Sequence, residues 1–164
     1  MVVFDRFFTR CYVPYFPHLN KALWAALSVL QAGRLAACAP TVRPAGPPNA
    51  QTSLGNDAFY ASDGTVLAVQ SWGDQETPDA VVLALHGMGD YANAFMEFGE
   101  QIGPGGIAVY AFDQRGFGRS ISRPFWAGTS SMVNDASDML MLLRARYPDT
   151  SLYLMGNSMG GAVA

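Results

Sequence analysis

The amino-acid sequence predicts an α/β domain in which helices cover both faces of a mostly parallel sheet. Three continuous apolar runs have the length and composition of buried strands. Two segments between these runs repeat their apolar residues at helical spacing. Strands that alternate with helices pair in parallel, and the connecting helices pack on both sides of the sheet.

The first element of the domain is a predicted β-hairpin over residues 57–73. β-prone residues flank Asp63-Gly64, a dipeptide typical of tight hairpin turns. The first apolar strand follows at residues 80–87, and the first helix is predicted over residues 91–102. The expected apolar face of this helix consists of Ala94, Phe95, Phe98 and Ile102.

A second strand is predicted at residues 106–113, and a second helix at residues 132–147, where Pro148 and Asp149 end it. The apolar residues that repeat along this helix are Met132, Val133, Ala136, Met139, Leu140 and Leu143. The third strand, at residues 151–156, is also predicted to be buried and leads into a glycine-rich turn.

The composition argues against several classes of function. The chain has 164 residues, of which 50% are hydrophobic, and this suits one globular domain with a core. A formal net charge of −3 and the lack of a long basic run argue against nucleic acid as a partner. The two cysteines fit neither a zinc site nor a disulfide framework, and two histidines are too few for a histidine-rich metal site.

Residues 1–38 are predicted to be an export leader. Residues 22–33 are mostly apolar, too few to span a bilayer but of the length of a signal-peptide core. The next residues, ending in Leu35-Ala36-Ala37-Cys38, resemble the lipobox of bacterial lipoproteins, in which the cysteine is lipidated. The resemblance implies an exported bacterial protein, either periplasmic or anchored to a membrane through Cys38. The alternative is a short amphipathic or buried helix with a chance cysteine.

Residues 39–56 separate this leader from the domain. They are rich in proline, glycine and small polar residues, which is typical of a linker. A disordered N-terminal tail is the alternative interpretation. The folded domain is expected to cover residues 57–164.

The turn after the first buried strand raises one hypothesis. Residues 87–92, GMGDYA, match the G-x-G-x-x-G/A pattern of dinucleotide-binding turns. The second strand ends in Asp113, about where a ribose-binding acid would lie. A Rossmann oxidoreductase that binds a nicotinamide cofactor at residues 87–92 is therefore one possible function.

The turn after the third strand favours a different chemistry. Residues 156–160, GNSMG, match G-x-S-x-G, in which Ser158 occupies a sharp, strained turn that exposes its hydroxyl. The small Gly156 and Gly160 let the following helix and the neighbouring strands pass close to that turn. The helix N-terminus offers free backbone N–H groups that stabilise negative charge on a tetrahedral intermediate. A tight glycine turn with a bystander serine is the structural alternative.

Three sequence blocks together resemble the α/β-hydrolases, and within them the monoacylglycerol lipase, lysophospholipase and serine aminopeptidase S33 group. The blocks are HGMGDY at residues 86–91, DQRGFGRS at residues 113–120 and GNSMGG at residues 156–161. Their order and spacing fit this family from about residue 57 onward. One departure is Asn157, where the family more often has His.

The resemblance implies a role for each matching residue. Ser158 would be the acyl nucleophile, and the backbone N–H groups of Met88 and Met159 would form the oxyanion hole. Gly87 and Gly89 would let the first of these amides turn toward the substrate. His86 would be a structural residue of the oxyanion turn rather than the catalytic base, and residues 113–120 would brace the sheet.

The implied function is hydrolysis of carboxylic esters, in particular lipid-like monoesters, without a cofactor or metal. An S33-type aminopeptidase on the same fold is the first alternative, and a non-catalytic lipoprotein is another. A haloalkane dehalogenase is disfavoured because that branch has Asp at the position of Ser158. The family places its catalytic Asp and His after the nucleophile, so the resemblance implies that they lie beyond Ala164 and that the 164-residue chain alone is inactive.

Overall fold

The computed structural model describes residues 41–120 and 125–164. The predicted leader, including the lipobox-like Cys38, lies outside these residues. Within the two described ranges, no helix is both long enough and apolar enough to cross a bilayer.

The described residues form a six-stranded mixed sheet with strand order β1-β2-β3-β5-β4-β6. The strands are β1 (Ser53–Leu54), β2 (Ala58–Tyr60), β3 (Val66–Trp72), β4 (Ala80–Leu85), β5 (Ile107–Phe112) and β6 (Ser151–Gly156). β4 pairs in parallel with both β5 and β6, whereas β1, β2, β3 and β5 pair in antiparallel fashion along the sheet. The candidate site lies in the parallel part.

Helices cover both faces of this sheet, as the sequence predicts. They are α1 (Met96–Ile102), α2 (Thr129–Arg146) and α3 (Met159–Val163). Along β4, Val81, Leu83 and Leu85 belong to the cluster that contains the buried residues of α2 and α3. Val82 and Ala84 belong to the cluster on the other side, against α1. This alternation is the two-residue period of a strand, and it confirms the predicted α/β class.

The predicted hairpin is confirmed. β2 and β3 pair in antiparallel fashion, with Ala58 opposite Ala68. The turn between them contains Asp63-Gly64, and Gly64 has a φ of +79°, a left-handed conformation that glycine adopts without strain.

The residues that the first helix buries differ from those predicted. Ala94 is exposed, whereas Ala92 and Phe95 are buried. The reason is that residues 92–95 form a 3₁₀ turn before α1 begins at Met96. With three residues per turn instead of 3.6, the residues that face the sheet are spaced differently from those of an α-helix.

The second helix, α2, begins at Thr129, three residues earlier than predicted. The prediction that Val133 belongs to its buried apolar face is wrong. Val133 is 36% exposed. The buried residues Met132, Ala136, Met139 and Leu143 follow one narrow stripe with spacings of three and four. Val133 lies about 100° around the helix from Met132, which places it outside that stripe.

The third strand is less buried than its apolar sequence predicts. Leu152 and Leu154 are half-buried, and Tyr153 is 58% exposed. Among the described residues β6 pairs only with β4, so it is an edge strand of this sheet. A continuous apolar run identifies a strand but does not specify how many neighbours it has.

The segment predicted as a linker is hydrogen-bonded to the domain. The backbone N–H of Arg43 donates to the carbonyl of Trp126 at 2.8 Å, and that of Ala45 donates to the hydroxyl of Ser131 at 2.9 Å. β1 then joins the sheet beside β2. The ordered domain therefore begins before residue 57, because partners in the domain satisfy backbone groups that a proline-rich segment cannot pair within itself.

Candidate active site

The two glycine-rich turns of the sequence lie side by side at the carboxyl ends of β4 and β6. Leu85 is paired with Gly156 at the last position of the parallel ladder. Just beyond it, the backbone N–H of Asn157 donates to the carbonyl of Leu85 at 2.9 Å. In open α/β sheets this edge is where ligands bind, so the fold brings both predicted motifs to one candidate site.

Ser158 has a strained backbone at the centre of the second turn. Its φ of 52° and ψ of −112° make it the only non-glycine residue with positive φ among the described residues. Its side chain is exposed, and α3 begins at the next residue. Strain of this kind costs about 1–3 kcal/mol and persists only where the surrounding structure enforces it.

The glycines on either side of Ser158 allow this turn to exist. A methyl group on Gly156 would overlap the carbonyl group of Gly160, and a methyl group on Gly160 would overlap the carbonyl oxygen of Leu85. Both obstacles are backbone atoms, which cannot swing aside as a side chain can. The close approach of α3 to the end of β6 therefore excludes a side chain at Gly156, and its close approach to the end of β4 excludes one at Gly160.

The predicted oxyanion donors lie on the two turns. Neither the backbone N–H of Met88 nor that of Met159 has a hydrogen-bond partner in residues 41–120 and 125–164. The turns lie close together, since a methyl group added to Gly87 would come within 3.6 Å of the Cβ of Ser158. Gly89 has a φ of +80°, which gives the first turn its conformation. The arrangement can offer two N–H groups beside an exposed hydroxyl.

His86 is fully buried, and both of its ring nitrogens are engaged. Nδ1 lies 2.8 Å from the carbonyl oxygen of Gly87, and Nε2 accepts a hydrogen bond from the backbone N–H of Gln114 at 3.0 Å. The ring packs edge-on against Phe117, with 5.6 Å between centroids. Burial lowers the pKa of His86, which favours the neutral ring. A ring held in this way is not available to take a proton from Ser158.

Asp113 is committed to the loop that follows β5. One carboxylate oxygen accepts from the backbone N–H of Ala92 at 2.8 Å, and the other accepts from that of Arg119 at 2.7 Å. The side chain is 1% exposed. The interpretation of Asp113 as a ribose-binding acid is therefore wrong, because both oxygens already bind backbone groups of the protein.

A buried ionic cluster beside this loop was not predicted from the sequence. The guanidinium of Arg115 donates to both carboxylate oxygens of Asp135, at 2.6 and 2.9 Å, and to both of Asp63, at 2.7 and 2.9 Å. Thr65 accepts a further bond from Arg115 at 2.9 Å. The bond from Arg115 holds the pKa of Asp63 well below its usual range. The cluster ties the loop to the hairpin turn and to α2.

No set of three or more metal-ligating side chains comes together within the described ranges. The buried side chains of His86, Asp113 and Gln114 bond to backbone groups beside the two turns, whereas Oε1 of Gln114 has no partner among the described residues. The turns offer a ligand the exposed Ser158 hydroxyl and the backbone N–H groups of Met88 and Met159, both unpaired in the described part of the chain.

Comparison with known proteins identifies relatives of this part of the chain. The family model described as "Serine aminopeptidase, S33" matches residues 76–164. A provisionally named monoglyceride lipase from Schizosaccharomyces pombe is 39% identical over 103 residues, which cover 60% of this chain and 27% of the relative. The monoglyceride lipase of Mus musculus is 29% identical over 104 residues, which cover 63% of this chain and 34% of the relative.

Solved structures share the fold. A soluble variant of monoglyceride lipase from Saccharomyces cerevisiae, in complex with a substrate analogue, superposes with a TM-score of 0.53 at 24% identity. The match covers 72% of this chain and 38% of the other. The chain thus spans roughly a third of the length of the curated relatives it matches.

Proposed function

This chain belongs to the serine aminopeptidase S33 family of α/β-hydrolases, within the monoglyceride lipase-like group, and from that premise we propose that the protein hydrolyses lipid-like carboxylic monoesters with Ser158 as nucleophile. The observation that carries the proposal is the strained, exposed serine between β6 and α3. A strained backbone at an exposed serine is typical of a functional site, because the strain costs free energy and brings a bystander serine no benefit.

The mechanism follows from the atoms at the two turns. The Ser158 oxygen attacks the ester carbonyl carbon, its proton passes to a base, and the carbonyl oxygen becomes an oxyanion. The N–H groups of Met88 and Met159 donate to this oxyanion. Its collapse breaks the ester C–O bond, and the leaving oxygen takes the proton from the base and departs as the alcohol. Water then gives a proton to the same base, attacks the acyl-enzyme and releases the carboxylic acid and Ser158. His86 cannot serve as the base because both its nitrogens are engaged. His86 is the only histidine among the described residues, so the proposed mechanism takes a histidine base from outside them.

The substrate class rests on the names of the relatives. Proteins named monoglyceride lipase from yeast, mouse and other sources match this chain. The S33 description of the matching family model favours a second candidate, an aminopeptidase. The same nucleophile and oxyanion donors serve amide and ester hydrolysis, so the turns do not discriminate between the two.

The decisive experiment uses the full-length protein. A fluorophosphonate probe is expected to label it, Ser158→Ala is expected to abolish labelling, and Ser151→Ala, an exposed serine at the start of the same strand, is expected to label normally. Turnover of a monoacylglycerol is then compared with that of an aminoacyl anilide. Labelling that survives in Ser158→Ala contradicts the nucleophile, and turnover of the anilide alone contradicts the ester substrate. A protein that neither labels nor turns over either substrate fits the non-catalytic lipoprotein.

We also propose that Cys38 is lipidated and that the protein is exported and membrane-bound. The proposal rests on the lipobox-like residues that end in Cys38. In a diderm bacterium the protein is expected to incorporate labelled palmitate, to lose it in Cys38→Ser and to keep it in Cys11→Ser. Stable anchoring needs more than one acyl chain, which lipoprotein processing supplies. Unchanged membrane association and precursor size in Cys38→Ser would contradict the anchor.

A further inference from the structure

We propose that His86 and Gln114 are positioning residues that aim the backbone N–H of Met88 into the oxyanion hole. This inference rests on the proposed function, since it assigns the orientation of one of the two donors named there. Gln114 belongs to the block at residues 113–120, which the resemblance treats as a brace for the sheet and not as part of the oxyanion turn. Neither side chain touches the substrate.

The first step of the argument is the geometry of one peptide unit. The carbonyl of Gly87 and the N–H of Met88 belong to the same planar, trans peptide, so they point in opposite directions. His86 Nδ1 lies 2.8 Å from that carbonyl oxygen, and the N–H of Asp90 donates to it at 3.3 Å. With the carbonyl held on one side, the N–H of Met88 is fixed on the other, where it has no partner among the described residues.

The second step is the position of the proton on His86. The backbone N–H of Gln114 can only donate, and it points at Nε2 at 3.0 Å. Nε2 must therefore be the unprotonated nitrogen, and the proton of the neutral ring is on Nδ1. A ring with this tautomer donates from Nδ1 to the carbonyl of Gly87. The opposite tautomer would set two N–H groups against each other at Nε2 and two acceptors against each other at Nδ1.

The third step extends the restraint to the preceding peptide. The side-chain Nε2 of Gln114 donates to the carbonyl of His86 at 2.8 Å, and Gln114 is 1% exposed. A methyl group on Gly160 would lie 2.8 Å from the same carbonyl oxygen, so the second turn packs against this peptide. Two consecutive peptides of the first turn are thus held by their carbonyl groups, and one of them contacts the second turn. The restraint keeps the Met88 donor in register with Ser158.

The first test measures turnover of the full-length protein in matched variants. His86→Phe keeps a ring that can pack on Phe117 but removes both hydrogen bonds. We expect kcat to fall by about 10²–10³, the effect of losing one oxyanion donor, while KM changes by less than about threefold. His86→Asn returns an amide donor near the position of Nδ1 and is expected to recover at least about tenfold of the lost kcat.

Gln114→Met removes the side-chain bond to the His86 carbonyl but leaves the backbone N–H in place. Its kcat is expected to fall less than that of His86→Phe, by about tenfold. All values are divided by the concentration of active sites titrated to completion with a fluorophosphonate. A purely structural role predicts that the titratable fraction falls while kcat per site is unchanged. That result, or equal losses in His86→Phe and His86→Asn, overturns the proposal.

The second test does not depend on turnover. Long-range ¹H–¹⁵N spectra of the full-length protein with labelled histidine report the tautomer of each ring, and the His86 signals are those missing in His86→Phe. We expect the Nδ1–H tautomer at about pH 7, because burial lowers the pKa of His86 and favours the neutral ring. The Nε2–H tautomer would overturn the proposal even in an active enzyme. If turnover does not depend on Ser158, the proposed function itself is wrong. If turnover depends on Ser158 but kcat per site is unchanged in the His86 and Gln114 variants, only this inference is wrong.

Discussion

The turn after β4 and the turn after β6 are both rich in glycine, yet different forces hold them. In the first turn, a side chain added to Gly89 would meet open space, and hydrogen bonds from the buried side chains of His86 and Gln114 hold the backbone. In the second turn, Gly156 and Gly160 are required because backbone atoms fill the space that a side chain would need. The first is a polar restraint and the second a steric one.

The difference matches what the proposed mechanism requires of each turn. A hydrogen bond is directional, and an N–H that must point at a developing oxyanion needs direction. A residue in a disfavoured backbone conformation needs force to stay there, and close packing supplies it because packed backbone cannot yield. Stability and pH measurements on variants of the full-length protein can separate these two kinds of restraint.

The largest effect is expected from breaking the steric restraint with Gly160→Ala. The added methyl group would overlap the carbonyl oxygen of Leu85, so α3 must move away from β4. We expect the free energy of unfolding in urea to fall by about 3 kcal/mol or more, at the upper end of overpacking costs. Gly161→Ala is the matched control. Its methyl group would lie 3.3 Å from the Gly156 oxygen, and a cost below about 1 kcal/mol is expected. Equal costs at the two positions would contradict a steric restraint centred on Gly160.

A smaller effect is expected from weakening the polar scaffold with Asp63→Asn. Arg115 follows Gln114 directly, and its bonds to Asp63 and Asp135 anchor the loop that restrains the first turn. Loss of the charged acceptor is expected to cost about 2 kcal/mol at pH 7, the range of hydrogen bonds to charged groups. Asp149→Asn, at an exposed carboxylate, is expected to change stability by less than about 0.5 kcal/mol.

The effect of Asp63→Asn on stability is expected to depend on pH, in a direction that follows from the lowered pKa of Asp63. Because Arg115 lowers the pKa of Asp63 in the folded state, the carboxylate contributes stability above its unfolded value of about 3.9. That contribution is lost as the pH falls through the lowered pKa. The stability difference between wild type and Asp63→Asn is therefore expected to be constant near neutrality and to shrink below about pH 4. A difference that persists unchanged down to about pH 2 would show that the bond to Arg115 does not depend on the charge of Asp63.

The two restraints were unequally predictable from the sequence. The superfamily, the α/β class and the hairpin are confirmed because their signals are local: an apolar run, an Asp-Gly turn, a G-x-S-x-G pattern. The polar restraint is not local. Twenty-eight residues separate Gln114 from His86, and 52 separate Arg115 from Asp63. No spacing rule connects these residues, so only the folded sheet reveals that they meet. The catalytic roles of the site residues stay predictions.

The errors in the predicted faces have the same origin. Ala94 is exposed because a 3₁₀ turn precedes α1, and a change from 3.6 to three residues per turn leaves no mark in an apolar pattern. Tyr153 is exposed because burial of a strand depends on its neighbours. Sequence periodicity identifies which elements form, whereas their contacts decide which residues are covered.

A third variant tests whether the first turn is free of steric restraint. Gly89 has a φ of +80°, and no atom lies within 4 Å of the position that an added methyl group would take. Gly89→Ala should therefore incur only the backbone cost of a left-handed conformation, about 1.5 kcal/mol. Gly89→Asn is expected to recover part of it, since Asn tolerates this conformation better.

The control for this variant is Gly105→Ala. Gly105 also has open space, but its φ lies outside the left-handed region. Alanine there is expected to be neutral or to stabilise by up to about 1 kcal/mol through the unfolded chain. If Gly89→Ala is as well tolerated as Gly105→Ala, then the first turn can relax and its conformation is not fixed by the bonds around it.

The smallest effect, and the most direct measure of the steric restraint, is expected at Ser158 itself. Ser158→Gly and Ser158→Ala both remove the hydroxyl, so their difference reports only the backbone. Alanine keeps the Cβ that disfavours a φ of 52° with a ψ of −112°, whereas glycine does not. Relief of the strain is expected to stabilise Ser158→Gly by about 1–3 kcal/mol relative to Ser158→Ala. Glycine loses roughly 0.5–1 kcal/mol of this because its unfolded chain is more flexible. Ser158→Gly is therefore expected to be more stable by about 1 kcal/mol. Urea unfolding of the two variants measures this value. If Ser158→Ala is the more stable of the two, the second turn stores no strain, and the packing of Gly156 and Gly160 serves only to bring α3 close to β6 and β4.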